Sequence, residues 1–490
     1  MKRHGGALLS SLRIDKASDR RMSVQLYMGL RDLLLSGGLT PGDRMPATRT
    51  LALELGISRT TVIDAIDRLV SEGLLEARVG AGTYVNQALQ AQRTLASTPT
   101  GSGGTIASPR LSHAASHADT GFALRQRLPH ESAAFVTALP ALDAFPMAQW
   151  ARLSARHWRQ NRDHVTGYGE PFGYPRLRAA IARQLNASRG IRCDPEQIFV
   201  MNGAQHAFSL ISAMLVDPGK AVWFENPGAI GARNAFVATG AKLIPVSVDE
   251  EGIRVSDGLD KAARFRLAFV TPSHQQPLGH VMSLSRRLAL LQAAKDADAM
   301  IVEDDYDGEF YYCDQPPPTL KSIDTQERVI YVGKFSKSLF PSLRLGFILS
   351  PLGLVESFRR VCNAWQSGVP TANQAIVADF MDEGLFATHI RTMRQIYRDR
   401  HDTLMQAARA LRKDIDVRPT SSGFHAVGFL NADIREADFI ARTRDRGIVT
   451  AGLGRYALTQ LPYKGIVLGF GSTPPDDIRS GMDVIRRIIS

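Results

Sequence analysis

The stretch Val332-Gly333-Lys334-Phe335-Ser336-Lys337-Ser338-Leu339-Phe340-Pro341-Ser342-Leu343-Arg344-Leu345-Gly346 constrains the fold more than any other part of the chain. It sets a lysine in a short polar turn, with a hydroxyl just before it and an arginine seven residues on. The apolar runs on either side, 329–332 and 347–349, read as strands. From about Phe135 the same kind of run recurs, at 197–201, 221–225, 242–248, 267–271 and 300–303, with helix-length amphipathic stretches between several of them. That alternation predicts an α/β layer fold with a mainly parallel sheet. In such folds binding residues gather in the loops beyond the strand ends.

Three of those loops carry chemistry. A lysine amine condenses with an aldehyde to form a Schiff base. A hydroxyl and an arginine beside it suit a phosphate, the arginine bidentately. Aldehyde plus phosphate describes pyridoxal 5'-phosphate (PLP). The second loop, Met201-Asn202-Gly203-Ala204-Gln205-His206, follows a strand and opens a helix, whose free N–H groups suit a phosphate. The third, Glu303-Asp304-Asp305-Tyr306-Asp307, is acidic directly after an apolar run, and one carboxylate there would keep a pyridinium protonated. Each loop alone has an ordinary reading: a glycine-containing turn, a solvated or metal-binding acidic turn, a basic surface loop. The three in this order are far more specific.

The chain has 490 residues, and the length prior suggests ~3 units. Its first part has a different rhythm. Leu26, Leu30, Leu33 and Leu34 recur at helical spacing over 23–36, and Gly37-Gly38 ends that helix. Thr48 is expected to cap a second helix carrying Leu51, Ala52 and Leu55. Ser58 is expected to cap a third, 59–72, with Val62, Ala65, Ile66 and Leu69 inward. Two short strands around Gly80-Ala81-Gly82 make a wing. In a helix-turn-helix the N-terminal end of the second helix enters the major groove. Ser58, Arg59, Thr60 and Thr61 are therefore candidates for base and phosphate contacts, Arg44 and Arg49 for the DNA backbone, and Thr83 and Tyr84 for the wing. The net charge of +11 suits an anionic partner. Three scattered cysteines give no disulfide framework or metal spacing, which fits a reducing cytoplasm. No signal peptide is read at the N-terminus, and no apolar run approaches the ~20 residues of a membrane span.

Between head and body, 87–131 is small, polar and glycine-rich, as in Ser97-Thr98-Pro99-Thr100-Gly101-Ser102-Gly103-Gly104-Thr105. Such a composition buries too little surface to order itself and reads as a tether. The expected division is a head over 1–86, a tether over 87–131 and a body over 132–490.

The segments Arg44-Met45-Pro46-Ala47-Thr48-Arg49, Leu55-Gly56-Ile57-Ser58-Arg59-Thr60-Thr61, Glu72-Gly73-Leu74 and Gly80-Ala81-Gly82-Thr83-Tyr84-Val85 together resemble the winged helix-turn-helix of the GntR family of bacterial regulators. The three body loops, with Tyr168-Gly169-Glu170-Pro171-Phe172-Gly173-Tyr174, Asn226-Pro227-Gly228 and Thr271-Pro272-Ser273-His274-Gln275, resemble the fold-type I aminotransferases of the aspartate aminotransferase kind. The combination resembles the MocR subfamily. The resemblance implies Lys337 as the Schiff-base lysine, with Lys334 the second choice. It implies Asp304 against the ring nitrogen and Tyr306 on the phenolic oxygen. Ser336, Arg344 and the Gly203-Ala204-Gln205 backbone would hold the phosphate. It also implies dimers, with heads and bodies exchanged between protomers.

This chain departs from that pattern in places. Ala229 stands where the family usually stacks a tyrosine on the ring, a contact worth ~0.5–1.5 kcal/mol; His206 is a candidate substitute. Gln276 stands where catalytic relatives commonly carry an asparagine, and its amide is placed to reach the phenolic oxygen. Gly231 replaces a known effector-binding arginine, which leaves Arg233 and Arg455, with His274 and His280, as effector candidates. The leading expectation is a cytoplasmic PLP-dependent regulator that binds double-stranded operator DNA and responds to an amino acid or amine. The alternatives are an aminotransferase with an accessory DNA-binding head, and a regulator that has lost PLP and senses its ligand non-covalently.

Overall fold

The structure, a computed structural model, describes residues 12–89, 110, 115–116, 121–123, 133–160, 162–312, 317–366, 368–431 and 433–489. The glycine-rich part of the expected tether, 97–105, lies outside the described residues. The chain divides into two compact units, Met1–Pro109 and Arg110–Ser490.

In the first unit, helix α1 (Met22–Ser36) buries Leu26, Leu30 and Leu34 and ends at Gly37, whose φ of 94° a side chain would resist. Helix α2 (Thr48–Leu55) ends at Gly56 in the same left-handed region. Helix α3 (Arg59–Ser71) buries Val62, Ala65, Ile66 and Leu69 against Leu26, Leu30, Leu34 and Leu51. Strands β1 (Leu75–Arg78) and β2 (Gly82–Val85) pair antiparallel as the wing. One expectation fails here. Thr48 does not cap α2: Ala47 is the cap residue and gives no side-chain bond. The Thr48 hydroxyl instead accepts from Arg59 Nε at 3.3 Å.

The second unit is built on an eight-stranded sheet: β3 (Ile198–Met201), β4 (Ala221–Asn226), β5 (Lys242–Asp249), β6 (Gly252–Ile253), β7 (Leu267–Val270), β8 (Met300–Asp305), β9 (Val329–Lys334) and β10 (Gly346–Leu349). The spatial order is β3-β10-β9-β8-β7-β4-β5-β6. The five central strands β5, β4, β7, β8 and β9 run parallel. Strand β10 is antiparallel to both β3 and β9. Alternate residues of β4 explain why the sheet is covered on both faces. Val222 and Phe224 pack with Phe208 and Ile211 of α5 (Ala204–Leu215) and Phe236 of α6 (Ile230–Ala238). Trp223, pointing the other way, packs with Leu290 and Ala294 of α7 (Leu284–Asp296). A smaller antiparallel sheet follows, in the order β11 (Ile415–Arg418), β12 (His425–Leu430), β14 (Gly465–Gly469), β13 (Ala451–Gly452). It shares its core with α8 (Leu385–Ala408) and α9 (Pro475–Ile489).

Candidate functional site

Strand register brings the body loops to one rim of the large sheet. Gly346, the first residue of β10, lies opposite Met201 on one side and Lys334 on the other. On β8, Asp304 and Asp305 lie opposite Val332 and Gly333. The last residues of β3, β8 and β9 and the first of β10 thus meet. Glycine makes the approach possible. A Cβ on Gly346 would stand 3.0 Å from the Gly333 carbonyl and 3.4 Å from the Ala204 nitrogen. Gly203, at φ 79°, precedes α5 and lies beside Arg344. Gly203, Ala204, Gln205 and Ser336 are half-buried there, and Arg344 is exposed. The N-terminus of α5 thus lies beside the Arg344 backbone, and a helix N-terminus and a guanidinium are groups of the kind that suit a phosphate.

The acidic residues expected to follow a strand are part of one. Glu303, Asp304 and Asp305 complete β8, and all are buried. Alternation sends them different ways. Glu303 accepts from the backbone N–H groups of Leu320 and Lys321 at 2.9 and 2.8 Å, and burial pushes its carboxyl up to about 7. Asp305 takes the buried Arg189 guanidinium, from helix α4 (Pro175–Arg189), and the Tyr331 hydroxyl. Asp304 faces the rim. Burial raises its carboxyl pKa, and the Lys334 ammonium beside it opposes that.

The two lysines separate. Lys334 Nζ lies 2.9 Å from Asp304 Oδ1 and 3.1 Å from Oδ2. It stands 5.3 Å from the centre of the Tyr306 ring and 5.6 Å from that of Phe208. Lys337, in the helical turn Phe335–Ser338, donates to the Ala138 carbonyl. Asp304 Oδ1 is buried without a well-aligned hydrogen bond despite the ion pair, so this carboxylate can still accept from a ring N–H. The rim therefore fits a phosphorylated pyridine, on a buried acceptor at one end and a backbone cradle at the other.

Around it the outcomes differ residue by residue. Tyr306 is buried at the rim, its hydroxyl 3.0 Å from His274 Nδ1. His274, an effector candidate, is 1% exposed and bonded to Asp307 as well. Gln276 is half-buried, and its backbone N–H donates to Thr271 Oγ1 at 3.0 Å. The neighbouring Gln275 amide is spent on Glu225 and the Pro227 carbonyl. Ala229 is buried as the cap residue of α6. His206 is half-buried in the turn that opens α5, Nδ1 accepting from the Asn202 N–H at 3.2 Å. Arg233 donates to the Ala457 carbonyl at 3.0 Å, and its Nε is buried without a hydrogen-bond partner. Arg455 is half-buried on the turn Leu453–Tyr456. Sequence reasoning missed Glu225, Thr420 and His425 and gave no role to Asp307, though it lies in the acidic loop. The only local signal was for Glu225, a carboxylate closing an apolar strand.

In the first unit, Ser58 caps α3 by accepting from the Thr61 N–H at 3.1 Å, and its hydroxyl lies 2.8 Å from those of Thr60 and Thr61. Arg44, Arg49, Ser58, Arg59 and Thr60 are exposed, while Thr61, Thr83 and Tyr84 are half-buried. On the wing, the Arg78 guanidinium covers the Tyr84 ring at 4.7 Å, with Arg44 at 6.0 Å. Cations and hydroxyls thus share the surface around the first turn of α3 and the wing.

Residues 22–85 match the gntR family of bacterial regulatory proteins, and 142–458 match the class I and II aminotransferases. The probable rhizopine catabolism regulatory protein MocR of Rhizobium meliloti is 38% identical over 96% of this chain and 94% of its own. The chain belongs to the MocR-type regulators. The HTH-type transcriptional regulator TauR of Rhodobacter capsulatus is 33% identical over 76% of this chain and 77% of its own. Among solved structures, the α-aminoadipate aminotransferase LysN of Thermus thermophilus, complexed with N-(5'-phosphopyridoxyl)-L-leucine, superposes with a TM-score of 0.67. It is 26% identical and covers 72% of this chain and 90% of its own. This MocR-type protein is a transcriptional regulator with an aminotransferase-like body. Among the described residues, no helix is long and apolar enough to cross a membrane.

Proposed function

We propose that this regulator carries PLP at the rim of its large sheet and alters its hold on operator DNA when an amino compound arrives there. What supports the reading is the register of β3, β8, β9 and β10, which brings the strand that carries Asp304, the strand end that leads into the Lys337 turn, and the start of β10 just after Arg344 to the glycine turn after β3. PLP supplies an aldehyde that amines attack and a ring that accepts electrons. Asp304 would receive the ring nitrogen. Tyr306 and Gln276 would meet the phenolic oxygen. Ser336, Arg344 and the Gly203-Ala204-Gln205 backbone would hold the phosphate. Lys337 would bear the covalent bond. Ring nitrogen and aldehyde lie at opposite ends of PLP, so a lysine paired with Asp304, as Lys334 is, stands at the wrong end for that bond.

The head, 1–86, would bind double-stranded DNA through Arg59 and the hydroxyls of Ser58, Thr60 and Thr61. Arg44, Arg49, Thr83 and Tyr84 would steady it on the backbone. The tether would be 87–131 and the body 132–490. The working form is a cytoplasmic homodimer with heads and bodies exchanged, and the effector is an amine or amino acid held near Arg233 or Arg455. Ligand arrival shifts the balance between two arrangements by its differential affinity for them. The test is borohydride reduction of the purified protein followed by peptide mapping. The expected adduct is on Lys337 and disappears in Lys337→Ala. An adduct elsewhere, or none, overturns the reading.

The Lys334–Asp304 ion pair favours a second reading, a regulator that senses its ligand non-covalently with an ammonium where the ring nitrogen would sit. Under the PLP reading, Lys334→Met removes the competing ammonium and tightens PLP binding several-fold in a fluorescence titration. If neither protein binds PLP, the second reading stands.

A further inference from the structure

A strap of backbone that the proposed function does not use, 135–141, passes the Lys337 end of the rim. Its ends are pinned. The Phe135 N–H donates to Thr473 Oγ1 at 3.0 Å, its carbonyl accepts from the Gly469 N–H at 3.1 Å, and the residue is fully buried. The Ala141 N–H donates to the Tyr397 hydroxyl of α8 at 3.1 Å. Gly469 and Gly471 let the strap lie against the end of β14, for a Cβ on them would overlap the carbonyls of Val136 and Leu139. Between the pins, 136–139 are half-buried. Phe135 and Ala138 hold φ of 65° and 66°, which side chains resist, and such strain persists only where the surroundings fix it.

Two side chains meet the middle of the strap. Lys337 donates through its amine to the Ala138 carbonyl. The hydroxyl of the neighbouring Thr137 is hydrogen-bonded to that of Tyr456. Tyr456 ends the turn Leu453–Tyr456 and is 7% exposed. Its own carbonyl accepts from the Gly228 N–H at 3.0 Å, at the turn just before Ala229, and its hydroxyl faces Tyr306. Tyr456 thus ties the strap to the walls of the site. Counting hydrogens then makes the strap a competitor for the lysine. A free amine has hydrogens to give the Ala138 carbonyl. When the amine joins an aldehyde, two of its hydrogens leave with the aldehyde oxygen as water. The nitrogen keeps one at most, and the phenolic oxygen beside the aldehyde of PLP takes it. The Ala138 carbonyl loses its donor.

We propose that the Ala138 carbonyl is the resting place of the Lys337 amine, and that Thr137 and Tyr456 are positioning residues that hold the strap there. The proposal rests on the PLP reading above. The cofactor's aldehyde takes the lysine from the strap, and an amine that displaces the lysine returns it. A lysine held by the strap is unavailable to the aldehyde for that share of the time, which weakens the apparent hold on PLP by the same share. The strap therefore makes the lysine easier to displace. That suits a site that answers to an arriving amine more than one that keeps its cofactor fixed.

The test is PLP binding to the full-length protein, followed by tryptophan fluorescence. Thr137→Val and Tyr456→Phe each remove the hydroxyl bond and are expected to tighten binding several-fold; either serves should the other not fold. Thr137→Ser is expected to restore the parent affinity. The double variant is expected to match the single ones, since both break the same bond. In a Lys337→Ala background, where no covalent bond forms, none of these substitutions is expected to change PLP affinity. With methylamine as the competing amine, the loosened variants are expected to keep the borohydride-trapped adduct at several-fold higher amine. Single variants that bind PLP no more tightly, additive effects in the double variant, or the same tightening without Lys337 each overturn the proposal. An adduct on Lys337 in those cases leaves the PLP reading standing. A protein that traps no cofactor on reduction sinks both.

Discussion

The first turn of α3 and the rim of the large sheet gather the same kinds of groups, cations beside hydroxyls, under opposite conditions. At α3, Arg59, Ser58 and Thr60 stand in water. At the rim, the Lys334 side chain is 11% exposed and Tyr306 is 5% exposed, beside the buried Asp304. Water makes the first arrangement cheap to hold and ready to trade counterions for a polyanion's phosphates. The second is costly unless every charge finds a partner, and it shifts proton affinities as a result. A surface meant to slide over a charged lattice and a floor meant to orient one small ring therefore need different dielectric surroundings more than different residues.

The largest expected effect probes the buried side. Arg189→Met leaves Asp305 with only the Tyr331 hydroxyl and is expected to destabilise the body by ~3–5 kcal/mol, as when one partner of a buried pair is removed. All four tryptophans, Trp150, Trp158, Trp223 and Trp365, lie in the body, so fluorescence during denaturation reads that unit without the head. A loss within ~1 kcal/mol, the range of surface pairs, would erase the contrast between the two regions. Next comes the exposed side. Arg59→Ala is expected to weaken operator binding by ~1–3 kcal/mol in a mobility-shift titration while leaving tryptophan-detected stability alone. Equal affinity would remove Arg59 from the interface. Ser58→Ala should cost the head ~1 kcal/mol through the lost cap on the Thr61 N–H, measured by far-ultraviolet dichroism of the isolated thermal transition.

A last effect is one of pH. Burial raises Glu225 from 4.5 to about 7, against the bonds from Thr271 and Gln275. A carboxyl whose folded pKa lies above its unfolded one favours the folded state fully only while protonated. The body should therefore lose stability as pH rises from about 4.5 to about 7 and level off above that. Glu225→Gln is expected to flatten part of that slope in melting temperatures recorded across the interval. An unchanged slope would mean that Glu225 ionises in the fold as it does in water.

Much of the fold was legible because periodicity is local. The runs at 242–248 and 329–332 appear as β5 and β9 with their ends displaced by at most two residues. The helix-turn-helix was legible for the same reason, each helix closed by Gly37, Gly56 or a serine cap. The misses are contacts between distant residues. Nothing near His274 announces Asp307, 33 positions on, or Thr420, 146 positions on. Which lysine meets Asp304 was equally hidden. The two amines are three residues apart, and the turn into the helical segment after β9 sends one to the carboxylate and the other to the Ala138 carbonyl. Thr48 had the right residue type for a cap but begins the helix instead, where its hydroxyl meets Arg59.

Strand β10 is only four residues long, yet it is the spacer that gauges the distance between the glycine turn after β3 and the lysine end of β9. Adding one residue to the exposed turn before it, at Ser342, leaves this gauge intact. Adding one inside Gly346–Leu349 slips the ladder on both flanks and turns alternate side chains to the opposite face. Variation in length within this lineage should therefore collect ahead of Gly346 and stop there.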